Sequence, residues 1–91
     1  MPKFTAVILD SDNKEIGHDP VLHYLCMDAS SIFTATVALK NVVYATYPKL
    51  NVSMSVEKKG EDETVVKFHL NDLGNKFDTV TYGIYPMEES I

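Results

Sequence analysis

The sequence predicts one small α+β domain, a mostly antiparallel sheet with a single helix packed on one face, in the order ββαβββ. The chain has 91 residues, enough for one hydrophobic core and too few for two. Five segments have the apolar content or the period-two alternation that is typical of strands. In one further segment the apolar residues repeat with a period near 3.6, which is typical of a helix. No repeat or linker interrupts residues 1–91. We therefore expect a single domain, with residues 86–91 as a flexible tail.

The first two strands are predicted to form a hairpin with a long loop. Residues 3–9 are largely apolar on both alternating sides, as is typical of a strand inside a sheet. A polar turn is expected over residues 10–14, and the second strand over residues 21–27. Alternation in the second strand is expected to direct Cys26 toward the helix and Leu25 toward the opposite face.

The helix is predicted over residues 29–47, with Asp28 before its first turn as the cap and Pro48 beyond its end. A turn of 100° per residue gathers one stripe toward the sheet: Ile32, Ala35, Thr36, Leu39, Val42, Val43 and Tyr47. The many β-branched residues of this segment weaken its helix propensity. Residues 33–39 also alternate as a strand would, so an all-β domain is the alternative.

The last three strands are predicted to form a meander. Residues 50–57 alternate cleanly between apolar and polar side chains, a charged loop follows over residues 58–63, and further strands are expected near residues 65–70 and 79–85. A right-handed crossover that skips one strand would give the order 2-1-3-4-5. This order places the first strand inside the sheet.

Charge and composition exclude several partners. Eight Lys, no Arg and thirteen acidic residues give a net charge of −5, which argues against binding to nucleic acid or to anionic membranes. The first ten residues lack an apolar run of signal-peptide length, and the sequence has one cysteine, Cys26. Both features indicate the cytoplasm.

No pattern of catalytic or metal-binding residues is evident. His23 and His69 fall on separate predicted strands, and alternation places Cys26 inside the domain as a small hydrophobic residue. We therefore expect no enzyme activity, no cofactor and no metal. The alternative is a small-ligand-binding protein or minor enzyme whose site lies at a dimer interface and uses His23, His69 and Tyr85.

Two surfaces of the predicted domain lack an obvious cover. One is the apolar half of the sheet face opposite the helix, and the other is the outer side of the helix, where small uncharged residues replace the usual charges. Tyr85 is a further candidate, since Tyr is enriched at interfaces. The candidate interface residues are Val7, Leu9, Leu25, Thr34, Ala38, Asn41 and Tyr85.

These surfaces indicate a noncatalytic protein–protein interaction module that forms a homodimer and binds another protein. By analogy of class alone, small acidic domains of this kind act as regulatory or inhibitory accessory factors of phages and mobile elements. Such a factor would present its acidic residues to a basic partner site. The acids to consider are Glu57, Glu61, Asp62, Glu63, Glu88 and Glu89. The alternative interpretation of these acids is a solvated charged loop.

Overall fold

The fold was analysed in a computed structural model, which describes residues 2–17, 23–72 and 74–87. Its elements are β1 (Lys3–Asp12), β2 (Tyr24–Asp28), α1 (Ile32–Thr46), β3 (Asn51–Gly60), β4 (Glu63–Asn71) and β5 (Phe77–Met87). The five strands form one sheet in which every neighbouring pair is antiparallel. The predicted α+β class and ββαβββ order are confirmed, and the all-β alternative is wrong.

The strand order is β2-β1-β5-β4-β3, so the predicted order 2-1-3-4-5 is wrong. The first strand does lie inside the sheet, but its second neighbour is β5. The chain leaves β2 at one edge, forms α1, and starts the meander with β3 at the opposite edge. This order places β5, which buries Val80, Tyr82 and Ile84, between two partners. It leaves β3, whose second half is charged, at an edge where charge is tolerated.

The hydrophobic core lies between α1 and one face of the sheet. The helix contributes buried Ala35, Leu39 and Val43, all on the predicted stripe. Its backbone approaches β2, β1 and β5 most closely. The sheet contributes buried side chains from four strands: Phe4, Ala6, Met27, Val66, Phe68, Leu70, Val80, Tyr82 and Ile84. The helix therefore covers the half of the sheet that contains β2, and β3 extends beyond it.

The N-cap of α1 is Ser31, not the predicted Asp28. The Ser31 Oγ accepts a hydrogen bond from the backbone N–H of Thr34 at 3.2 Å, which satisfies one of the first-turn donors. Asp28 instead ends β2, where it pairs with Lys3 of β1. Ser31 and Asp28 both have a short acceptor side chain. Because Asp28 is part of the paired strand β2, Ser31 is the one that caps the helix.

The predicted orientation of the second strand is wrong. Met27 lies opposite Phe4, and Leu25 lies opposite Ala6. Directly opposed residues share a face of the sheet, and Phe4 and Ala6 are buried. Leu25 and Met27 therefore face the helix, and Cys26 is exposed on the other side. Residues 18–22, which include the predicted start of this strand, lie outside the described part of the chain.

β1 and β5 are both longer than predicted. β1 continues to Asp12, with a register shift against β5 between Ile8 and Asp10. Residues 10–12 of the polar turn expected over residues 10–14 are therefore strand. β5 continues through Pro86 to Met87, where Pro86 lies opposite Phe4. These two residues are part of the sheet, not of a tail, and residues 88–91 lie outside the described part of the chain.

Candidate functional site

The sheet face opposite α1, here called the outer face, is less apolar than predicted. Leu25, which was expected there, and Met27, two residues further along the same side of β2, lie in or against the core. Val7 remains on the outer face, half-buried between Tyr24 of β2 and Gly83 of β5. Leu9 lies at the register shift of β1 and is exposed. Among the described residues, the outer face therefore lacks two of the apolar side chains predicted there.

The ring of Tyr85 packs over Gly83 on the outer face. A Cβ added to Gly83 would lie 2.6 Å from the hydroxyl oxygen of Tyr85 and 2.8 Å from its ring, so the ring lies where only glycine leaves space. Partial burial, and secondarily a hydrogen bond to Glu63 with the charge of that residue, raise the pKa of Tyr85. Tyr85 is thus committed to contacts within the domain.

The small uncharged residues on the outer side of α1 are partly explained by contacts within the domain. The hydroxyls of Ser30 and Ser31 lie within 3.4 and 3.2 Å of the Thr34 hydroxyl, so Thr34 belongs to the hydrogen-bonded start of the helix. Ala38 packs against the core. Of the interface residues predicted on this side, only Asn41 is exposed without such a contact among the described residues.

Within one chain, the candidate ligand residues His23 and His69 lie apart. The backbone carbonyl of His23 accepts a hydrogen bond from Ile8 at 2.9 Å, which places His23 beside β1 next to the start of β2. His69 lies on β4, opposite Thr79 of β5, so β1 and β5 separate the two histidines. Within the described ranges, no three His, Cys, Asp or Glu side chains group as a metal site would require.

The predicted acidic surface is divided. Glu57 forms an ion pair with Lys59 at 3.1 Å, and Glu63 interacts with Tyr85. Glu61 and Asp62 are exposed in the turn between β3 and β4. Glu88 and Glu89 lie outside the described residues. The described acids are therefore partly paired and do not form one continuous patch.

An apolar groove that was not predicted from the sequence lies between α1 and β3. The groove has a volume of about 310 Å³. It is lined by Ile32, Phe33, Thr36, Val37, Met54, Val56, Lys58 and Thr64. Phe33 on the helix wall is 75% exposed and Val56 on the strand wall is 51% exposed, so side chains on both walls of the groove reach water. Of the lining residues, only Lys58 carries a charge.

The groove exists because α1 is too narrow to cover all five strands. Val52 and Met54 of β3 reach the edge of the core, whereas Val56, on the same face of the strand, has no helix above it. Phe33 lies next to the buried stripe of α1 and projects beyond it. Two signals in the sequence pointed here: an aromatic residue flanking the stripe, and an apolar face of β3 longer than the contact that one helix provides.

Comparisons with known proteins add no relatives. No family model matches the chain, and neither the curated proteins nor the solved structures include a significant match. In the part of the chain that the structure describes, no helix is both long and apolar enough to cross a membrane.

Proposed function

We propose that this chain is a noncatalytic protein-interaction module and that the groove between α1 and β3 is its docking surface. The observation that carries the proposal is the exposure of Phe33 and Val56 along one open apolar groove. Contiguous apolar surface is unfavourable in water, and in a folded monomer it commonly marks a binding site. A protein partner would remove both side chains from water.

The free edge of β3 supports the same surface. β3 is the last strand of the sheet, and the strand it pairs with in the described structure is β4. Backbone N–H and C=O groups on its other side are therefore available to a partner strand. Residues 51–56 contain no charge and no proline, the usual devices that block such pairing. Charges and a register shift appear only in residues 57–60.

The other predicted roles have weaker support. The small-ligand alternative needs His23, His69 and Tyr85 at one site. Within one chain His23 precedes β2, whereas His69 lies on β4 and Tyr85 on β5. Self-association and an acidic regulatory or inhibitory role, as in phage-type accessory factors, stay predictions. So does a cytoplasmic location, which rests on the composition of the sequence. The proposed docking role of the groove does not depend on self-association, on an acidic regulatory role or on location.

Selection of binders from a displayed random peptide library tests the proposed docking surface. Binders should lose at least about tenfold in affinity for Phe33→Asp, since burying a Phe side chain contributes about 1.5–3 kcal/mol. Phe77→Asp is the matched control, because Phe77 is 51% exposed at the far end of β5 and outside the groove. If no binder depends on Phe33, the groove is not the docking surface.

A further inference from the structure

We infer that the occupant of the groove is an extended peptide segment with alternating apolar side chains and a carboxylate at the end that lies beside Lys58. This inference rests on the proposed function and specifies its partner. Three features of the groove support it: the free edge of β3, the spacing of the apolar lining, and the charge at one end.

The edge of β3 favours an extended occupant over a helix. A strand added to this edge would form backbone hydrogen bonds along residues 51–56, and every second side chain would face the same side as Met54 and Val56. Those side chains would enter the groove and contact Phe33. A helix about 10 Å wide placed in the groove would leave the free N–H and C=O groups of β3 unpaired.

The spacing along β3 sets the spacing of the occupant. Met54 and Val56 are two residues apart on the helix-facing side of the strand, which corresponds to about 6.6 Å in an extended chain. Phe33 and Val37 form the opposite wall on one face of α1. A segment with apolar residues at alternate positions matches the β3 side, whereas apolar residues three and four apart do not.

Charge selects one end of the segment. Lys59 is paired with Glu57, whereas Lys58 lines the groove and makes no ion pair with any described residue. The first turn of α1, which forms the wall beside it, contains no acidic residue. Glu61 and Asp62 lie beyond in the turn, exposed to water. In a chain of net charge −5, this positive, apolar groove complements a carboxylate.

The test uses the same displayed library and then synthetic peptides of the selected sequences. The selected sequences should alternate apolar residues and contain Asp or Glu at one end. Fluorescence anisotropy should show about three- to fivefold weaker binding to Lys58→Glu, as expected for an exposed ion pair. A peptide with Lys in place of the acid should reverse that preference. Lys67→Glu on the outer face, also exposed, is the control and should change the affinity less than about twofold.

Several results would overturn the inference while leaving the docking surface intact. They are Phe33-dependent binders with helical spacing, binders rich in basic residues, or binding that Lys58→Glu does not change. A second copy of the chain in the groove would also overturn it, as a doubled mass in light scattering that Phe33→Asp returns to the monomer value. A library without any Phe33-dependent binder would instead remove the proposed function itself.

Discussion

Asp78 holds residues 15–17 against the start of β5. Its buried carboxylate accepts hydrogen bonds from three successive backbone N–H groups: Glu15 at 3.1 Å and Ile16 at 3.0 Å on Oδ1, and Gly17 at 3.1 Å on Oδ2. Gly17 has a φ of 81°, a conformation that glycine adopts without strain. Successive N–H groups of this kind form a concave site for an anion, here filled by the protein's own side chain.

Replacement of Asp78 by Ala should lower the free energy of unfolding by about 2–4 kcal/mol, because three donors lose a charged acceptor and a buried site is vacated. Urea denaturation measures the change. Asp12→Ala is the control, since the exposed Asp12 accepts one backbone hydrogen bond, from Lys14 at 3.2 Å, and should cost less than about 1 kcal/mol. Equal losses in the two variants would contradict the role assigned to Asp78.

Ionisation of Tyr82 should lower the free energy of unfolding at alkaline pH. It is fully buried, and its ring meets Phe68 edge-on at 6.0 Å. Burial, and secondarily the nearby Tyr47, raise the pKa of Tyr82 from 10.0 to about 12. A raised folded-state pKa means that the neutral phenol is favoured by folding. Its contribution to the free energy of unfolding is therefore complete below pH 10 and is lost as the pH rises through 12.

The loss over this interval should be about 2–3 kcal/mol. Denaturation of the parent and of Tyr82→Phe, each at pH 8 and at several values between 10 and 12, measures it. The variant should be less pH-dependent, because it keeps the ring and removes the titrating hydroxyl. Parallel pH profiles for the two proteins would show that alkaline unfolding has another cause.

At the scale of elements, the start of α1 depends on one hydroxyl. Ser31→Ala removes the acceptor for the Thr34 N–H and should lower the free energy of unfolding by about 1 kcal/mol. Ser30→Ala is the matched control, because Ser30 contacts the Thr34 side chain and does not cap the backbone. Circular dichroism during thermal unfolding compares the two. A larger effect at Ser30 would mean that the cap is assigned to the wrong residue.

The sequence predicted the identity of each element better than its limits or its orientation. Periodicity identified α1 and the β3-β4-β5 meander, since side-chain alternation is a property of each segment by itself. The orientation of β2 depends on its register with β1, which pairs Leu25 with Ala6 and which alternation within β2 does not contain. The register shift between Ile8 and Asp10, beyond which β1 continues to pair with β5, is again a property of a pair of strands.

At the scale of the whole molecule, the candidate site depends on relations that no single segment encodes. Alternation indicates which face of a strand is buried but not which strands are neighbours, so the position of β3 at the edge could not be read from it. The groove requires, in addition, that α1 lies over β2, β1 and β5. Two of the predicted interface residues, Leu25 and Ala38, pack toward the core, which likewise depends on how neighbouring elements are placed.

The exposed side chain of Phe33 in the groove should contribute to binding and not to the stability of the fold. The variant Phe33→Asp tests both, since its stability and its peptide binding can be measured separately. Phe33 is 75% exposed, and an Asp in the first turn of a helix interacts favourably with the helix dipole. Phe33→Asp should therefore change the free energy of unfolding by less than about 0.5 kcal/mol, measured by urea denaturation. Val43→Ala, within the buried stripe of the same helix, should cost about 1–3 kcal/mol. If Phe33→Asp destabilised the fold as much, Phe33 would belong to the core, and its effect on peptide binding would follow from unfolding. If Phe33→Asp is as stable as the parent but no longer binds the selected peptides, the loss of binding is due to the change in the groove.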